Sequence, residues 1–470
     1  MQTKKYKINI IEIYILFLLL AYLLRTIGAY SLVPTRIDSL VFTFAGLVGE
    51  ILFISQLLKV LKQRNFKYYN WLLIAFLTVL FLSTIVNYKF SPIGNIKVLA
   101  WQAIFLLMIY STIFHDFNNQ LFFDIFRNII VIFGFFMSIV SLAMFAIRFS
   151  YSTGLENKQN PLRIGIVENR LFGSYTDPNY AAVMAVVIII LSLYYLLGYQ
   201  KLKTGLRLFY TANIIIQIMY IGLSGSRNGL IVLTLVTFTF IFFKLFHSVK
   251  TKAYNIYIRV IISLILAMFC AAMSFVVVDQ TKNLLAKTPA ITAFDGSKFL
   301  KKENDKNINH DKSVSLVRKD VSDSSDVSNL RFTIWKSAVD IFKENPLLGV
   351  PPKSLHEYAE KKMPTTYLAK TKLAVHNAYI NVLVSTGTIG AIIMLIFLLK
   401  AIVNSIISAF TRDIFSKNSH GYHLLAVLTL FLSGFFHNEM FLMATSSALI
   451  FWVFLASVQA KNELIKEDKN

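Results

Sequence analysis

Four short polar clusters interrupt an otherwise apolar chain, and each holds groups suited to phosphate or hydroxyl chemistry. Ser224-Gly-Ser-Arg-Asn-Gly229 sets a guanidinium among small residues at the start of an apolar helix. Backbone N–H groups at a helix N-terminus favour an anion and Arg adds a two-pronged donor, so this turn suits a phosphate. It also reads as a plain glycine turn with an Arg at headgroup level. Arg170-Leu-Phe-Gly-Ser-Tyr-Thr-Asp-Pro-Asn179 leads into another apolar helix, with Asp177 as its cap and Pro178 in its first turn. Capping alone would account for Asp177, and Arg170 is either a snorkelling interfacial residue or an anion ligand. In Asn329-Leu-Arg-Phe-Thr-Ile-Trp335, Arg331 opens an amphipathic helix, a place where a basic residue commonly meets anionic lipid. Val375-His376-Asn377-Ala-Tyr-Ile-Asn381 brings a proton-exchanging His beside two Asn that could orient a hydroxyl. Gly387 and Gly390 follow it and permit close helix contact.

Other polar residues carry less. His420 and His423, spaced i, i+3 with no third ligand near in sequence, read as structural. There is no Asp-x-Asp, no Cys/His cluster and no glycine-rich P-loop, so neither a metal nor a cofactor is expected. The single Cys270 sits in an apolar run, which rules out a disulfide framework. His437-Asn-Glu439, in the last short polar turn, is a further candidate to line the same cavity.

The elements that must position these clusters are membrane helices. The chain has 470 residues, is 56% hydrophobic and holds 41 Phe, gathered in nearly charge-free blocks. Blocks of about 17–25 residues cross a ~30 Å hydrocarbon core as helices, which satisfy their own backbone hydrogen bonds. About 12 spans are expected: 8–27, 39–61, 71–88, 95–114, 127–149, 178–198, 206–223, 229–248, 256–278, 377–403, 420–436 and 440–460. The last two also read as a broken hairpin, and no internal repeat is visible. The run from Ile8 to Leu24 after Lys4, Lys5 and Lys7 is too long for a signal peptide and reads as the first span.

The net charge of +22 has a membrane explanation rather than a nucleic-acid one. Lys59, Lys62, Arg64 and Lys67, then Lys201, Lys203 and Arg207, then Lys400, Arg412 and Lys417 lie in alternate loops. By the positive-inside rule those loops and both termini face the cytoplasm. The loops 28–38, 89–94, 150–177, 224–228, 279–376 and 437–439 then lie outside, and with them all four clusters. The expected fold class is an all-α polytopic membrane protein of the cytoplasmic membrane. It divides into nine spans in 1–278, a large extracytoplasmic segment 279–376, and three spans in 377–470. Within the segment, 295–329 is polar, Ser- and Asn-rich and expected to be flexible. Residues 330–363 are expected to form two amphipathic helices over the bundle mouth: one capped by Ser328 or Asn329 and ended by Pro346, the other from Ser354 to Lys362.

Taken in order, these motifs resemble the O-antigen ligase and polysaccharide polymerase family of bacterial envelopes. The matching pieces are Gly173 with Asp177-Pro-Asn179, Ser224-x-Ser-Arg227, Arg331-x-x-x-Trp335, Asn345-Pro-Leu-Leu-Gly349, and His376-Asn-x-Tyr379 with Gly387-x-x-Gly390. Two departures bear on substrate subtype: Gly349-Val-Pro-Pro352 where the family often has Gly-Val-Gly, and Ser385-Thr386 where an acidic residue often stands. The resemblance implies a membrane-embedded glycosyltransferase that is metal-independent, inverting, and acts on glycans carried by undecaprenyl pyrophosphate at the outer face. In that scheme Arg227 and Arg331 neutralise the leaving pyrophosphate and His376 is the general base. Arg170, Asp177 and Asn179 are expected to bind substrate, as are Ser224, Ser226 and Trp335, and Asn377 and Tyr379. The implied partners are the lipid-linked donor, a glycan acceptor, the bilayer, and chain-length regulator and flippase proteins; nucleic acid is not among them. Usage rich in Lys, Ile, Phe and Asn fits an AT-rich genome of a cell without a lipopolysaccharide core. That favours a polymerase of repeat units over a ligase delivering finished polymer. A lipid-linked glycan flippase is the alternative of another class, disfavoured because polar groups crowd one surface instead of mid-membrane depth.

Overall fold

A computed structural model describes residues 7–153, 162–198, 202–248, 253–291, 316, 330–416 and 419–467. Twelve apolar helices follow one another in the expected order. They are α1 (Ile10–Leu24), α2 (Thr35–Lys62), α3 (Trp71–Val86), α4 (Pro92–His115, with a π turn at Ile104–Ile109), α5 (Gln120–Ala146) and α6 (Pro178–Gly198). Then come α7 (Thr204–Ser224), α8 (Arg227–Phe246) and α9 (Ile256–Ala286). After the segment carrying α10 (Arg331–Glu344), α11 (Leu355–Lys362) and α12 (Tyr367–Thr371), the bundle resumes with α13 (Ala378–Thr411), α14 (His420–Ser433) and α15 (Ser446–Glu467). Among the described residues nine helices are long and apolar enough to cross a membrane, and the chain is an all-α polytopic membrane protein. The shorter α1, α3 and α14 have 15, 16 and 14 residues. At about 1.5 Å per residue they fall short of a ~30 Å core.

Hydrogen bonds sort the bundle into two polar ends. At one end Asn119 Nδ2 donates to Glu12, Gln56 Nε2 to Thr112 Oγ1 (2.7 Å), and His247 Nε2 pairs with the Ala409 carbonyl (2.7 Å). Arg127 is wholly buried there between Asp124 and His423 Nε2 (2.9 Å), and the other ring nitrogen of His423 lies 3.1 Å from Ser457 Oγ. This places His423 in the frame of the bundle. The other end gathers the four clusters.

Two expectations at that end are corrected. Residues 150–177 are more than a loop: β1 (Ser150–Ser152), β2 (Arg163–Val167) and β3 (Arg170–Gly173) form an antiparallel sheet in that order. Val167 pairs with Arg170 across a two-residue turn whose central Glu168 and Asn169 have φ of 54° and 56°. That is the turn whose twist suits a tight hairpin, and Asn tolerates its left-handed backbone. The last turn is also longer than 437–439. Helix α14 stops at Ser433 and α15 starts at Ser446, leaving 434–445 as a loop. The reason is polar satisfaction: the Gly434 carbonyl accepts Ala378 N (2.8 Å), Asn438 Oδ1 accepts Asn377 N (2.7 Å), and Glu439 Oε2 accepts Ser447 Oγ (3.0 Å). A continued helix could not offer those groups.

The segment between α9 and α13 has a small core of its own. Ile334, Ala338 and Ile341 of α10 meet Leu355 and Ala359 of α11 and Leu368 of α12, a third helix beyond the two expected. Helix α10 begins after Leu330, at φ 63°; the expected caps Ser328 and Asn329, and all of 295–329 except Leu316, lie outside the described residues. The connection 345–354 is bonded onto the bundle. Asn87 Nδ2 donates to the Gly349 carbonyl (3.0 Å), Asn95 Nδ2 to Ser354 Oγ (2.7 Å), and Val350 N to the Val384 carbonyl (2.7 Å). Gly387 breaks α13 internally with φ 63° and ψ −169°, a conformation essentially confined to glycine. A Cβ there would lie 2.2 Å from the Leu347 carbonyl, and one on Gly349 would lie 2.3 Å from the Val384 carbonyl. The two glycines let bare backbone meet backbone, so Gly387 serves a loop-to-helix contact and not the helix pair its spacing predicted.

Candidate active site

Five segments converge on the polar end. Arg170 arrives on β3, buried, with Nε donating to the Ser224 carbonyl (2.9 Å) and Nη2 to Asn179 Oδ1 (2.7 Å). It thereby joins two of the clusters read from the sequence. Asp177 caps α6, accepting from Asn179 N at 2.6 Å and Tyr180 N at 3.4 Å. Gly225, at φ 61°, ends α7 and lets the chain turn at once into α8. Ser226 caps α8 through Gly229 N (3.1 Å), which leaves Arg227 as the first helical residue with its side chain exposed.

Arg331 begins α10, half-buried, its guanidinium 5.4 Å from the centre of the Phe436 ring. His376 precedes α13 in left-handed backbone, φ 53°, uncommon for a residue with a side chain and found often at functional positions. Its imidazole is held below its ordinary pKa first by burial and then by the Arg331 charge, with Asp177 pulling the other way. His437 is pushed down to about 4 by burial; Asp177 opposes this, while Arg331, His376 and Arg170 add to it. Glu439 is pushed up to about 7 by burial and by Asp177, against a lowering bond from Ser447. These mutual influences bring Arg170, Asp177, Arg331, His376, His437 and Glu439 into one electrostatic neighbourhood.

Several residues expected to touch substrate are committed to the frame instead. Asn377 Oδ1 caps α13 by accepting Tyr379 N and Ile380 N, both at 3.0 Å, while its Nδ2 donates to the Phe435 carbonyl (3.1 Å). Tyr379 OH donates to the Phe431 carbonyl (2.7 Å) and its ring packs on Phe431, Phe435 and Phe441. Ser224 Oγ donates to the Ile221 carbonyl (2.7 Å), and Trp335 packs on the core of α10–α12. Asn228 and Asn438 were not singled out, yet Asn228 Nδ2 bonds Ser433 Oγ (3.0 Å) and Asn438 ties the last loop to the backbone beside His376. Their signal was adjacency alone: each follows a residue that had been marked. Among the described residues no group of three or more His, Cys, Asp and Glu lies together as a metal ion would need.

Two comparisons bear on this arrangement. The chain is 26% identical over 242 residues to an uncharacterized protein of Haemophilus influenzae. The match spans 51% of this chain and 53% of that protein, so the chain spans about half the length of the curated relative it matches. The family model described as O-antigen ligase matches residues 212–395, which hold Arg227, Arg331 and His376. Over residues 212–395 the chain is thus similar to the O-antigen ligase family.

Proposed function

We propose that this protein is a glycosyltransferase that joins oligosaccharide repeat units carried on undecaprenyl pyrophosphate into surface polysaccharide, at the outer face of the cytoplasmic membrane. The observation that carries the reading is a half-buried His376 held toward its neutral form by burial and by the nearby Arg331 charge, with Asp177 beside it. A neutral imidazole is what an acceptor hydroxyl needs as general base. Its proton goes to His376 as the acceptor oxygen attacks the anomeric carbon. The bond to pyrophosphate breaks with its electron pair leaving on the carrier. The developing charge falls to guanidinium groups, Arg227 and Arg331 with Arg170 behind them, since charge-assisted donors aimed at a leaving group are worth most in a low-dielectric site. One displacement at one face inverts the anomeric centre.

The ligase reading stays open because the matching family model is itself described as O-antigen ligase. The two differ in the acceptor: another lipid-linked unit for a polymerase, or a lipid, cell-wall or protein acceptor for a ligase. Mass spectrometry of the lipid-linked glycans in a deletion strain separates them. Single repeat units that accumulate and are cleared by the restored wild type support polymerisation; long lipid-linked chains support ligation. A pool unchanged by the deletion contradicts both.

A further inference from the structure

The loop 434–445 holds two ionisable side chains that the reaction as described does not use. His437 Nε2 is buried with no hydrogen-bond partner among the described residues. The residue lines a small, partly open and largely apolar cavity with Tyr180, Val183, Leu430, Ser433, Glu439 and Met440. The space open to the centre of a water-sized sphere is about 10 Å³, which is close to what one water needs when polar partners surround it. The partners are there: the Ser433 hydroxyl, the Glu439 carboxyl and the His437 ring. The cavity touches both halves of the site. Ser433 Oγ accepts from Asn228, the neighbour of Arg227, and Asn438, between His437 and Glu439, accepts from Asn377 N beside His376.

We propose that His437 and Glu439, bridged by one water, form a proton-accepting chain behind His376. The inference rests on the transferase reading above. In turnover the acceptor O–H gives its proton to His376 while the C–O bond to the sugar forms and the bond to pyrophosphate breaks. The imidazolium then passes that proton through His437 and the water to the Glu439 carboxylate, which becomes a neutral acid and releases it to solvent before the next cycle. The charged and titratable groups around the pair are Asp177 ahead of α6, Tyr180 on α6, Arg170 on β3, Arg331 on α10 and His376 ahead of α13. Glu439 ionises at about 7, so it is poised to accept and release a proton near neutrality. With His437 at about 4, that ring returns to its neutral form after each transfer.

The test is the pH profile of polymer formation by purified full-length protein in lipid vesicles, supplied with lipid-linked repeat unit. Wild type is expected to gain activity as pH rises through about 7. Glu439→Gln is expected to lose that limb and to fall about a hundredfold in kcat, the lower end of what a positioned proton-transfer group contributes, with KM unchanged. Glu439→Asp should regain part of both the rate and the limb, and His437→Gln should reproduce the loss. A Glu439→Gln protein with the wild-type profile overturns the relay. If Glu439→Gln does not fold, a wild-type profile in His437→Gln overturns it. A loss of KM and kcat together with no change of profile in any variant assigns the pair to packing, which also overturns it. The parent reading is tested in the same series by His376→Ala: an active His376→Ala protein defeats the transferase mechanism, whereas an inactive one beside an unaffected Glu439→Gln defeats only the relay.

Discussion

Burial first, and then the Arg331 charge, lower the pKa of His376. A positive charge close to a half-buried imidazole opposes a second positive charge, so the ring stays neutral to lower pH than usual. The sign follows directly: a base with a lowered pKa is competent above that value, and activity is lost as pH falls through it. Arg331→Gln removes the charge and should shift the His376 limb to higher pH, readable by NMR titration of the ring even where turnover is weak. Loss of either Arg227 or Arg331 as Ala should lower kcat by about 10²–10³, as removal of one donor to a developing anion does. A Lys replacement should restore only part, because it keeps the charge and loses the planar fork. In the sequence Arg227, Arg331 and His376 stand out as candidates by type and neighbourhood. It could not reveal that Asn377 and Tyr379 spend their polar atoms on the frame, because an Asn that caps and an Asn that binds sugar look alike in one dimension.

The elements place these residues through contacts between stretches far apart in the chain. Helices were readable because apolar blocks of span length admit few other structures. The sheet at 150–173 was not, since strands of 3, 5 and 4 residues leave too little alternation to detect. Two element-scale contacts are open to test. Gly387→Ala must put a Cβ against the Leu347 carbonyl and hold alanine where only glycine is at ease. The backbone strain alone costs on the order of 1–3 kcal/mol, so thermal unfolding in detergent should shift down and activity should fall. Asn438→Ala leaves the Asn377 N–H without its acceptor, a loss of about 1–3 kcal/mol if that group stays buried. The variant should remain in the membrane with reduced kcat; an unchanged rate would show that the last loop does not hold the His376 backbone in register.

The whole molecule has two polar ends of different character. One is built of buried pairs that close on themselves, such as Arg127 with Asp124 and His423. The other brings Arg170, Arg331, His376 and His437 into one electrostatic neighbourhood. We propose, from the charge bias of the loops, that this second end lies outside. In a Cys270→Ala background, Ser152→Cys should react with a membrane-impermeant maleimide on intact cells; reaction only after lysis would invert the orientation and exclude an outer-face reaction.

The most direct measurement is polymer formed from purified lipid-linked repeat unit by wild type and by His376→Ala, in the same vesicles with excess chelator. The account predicts polymer from wild type despite the chelator, and a rate lower by about 10²–10⁴ from equally folded His376→Ala. Polymer of normal yield and length from His376→Ala, or a wild type silenced by the chelator and restored by a divalent metal, would contradict it.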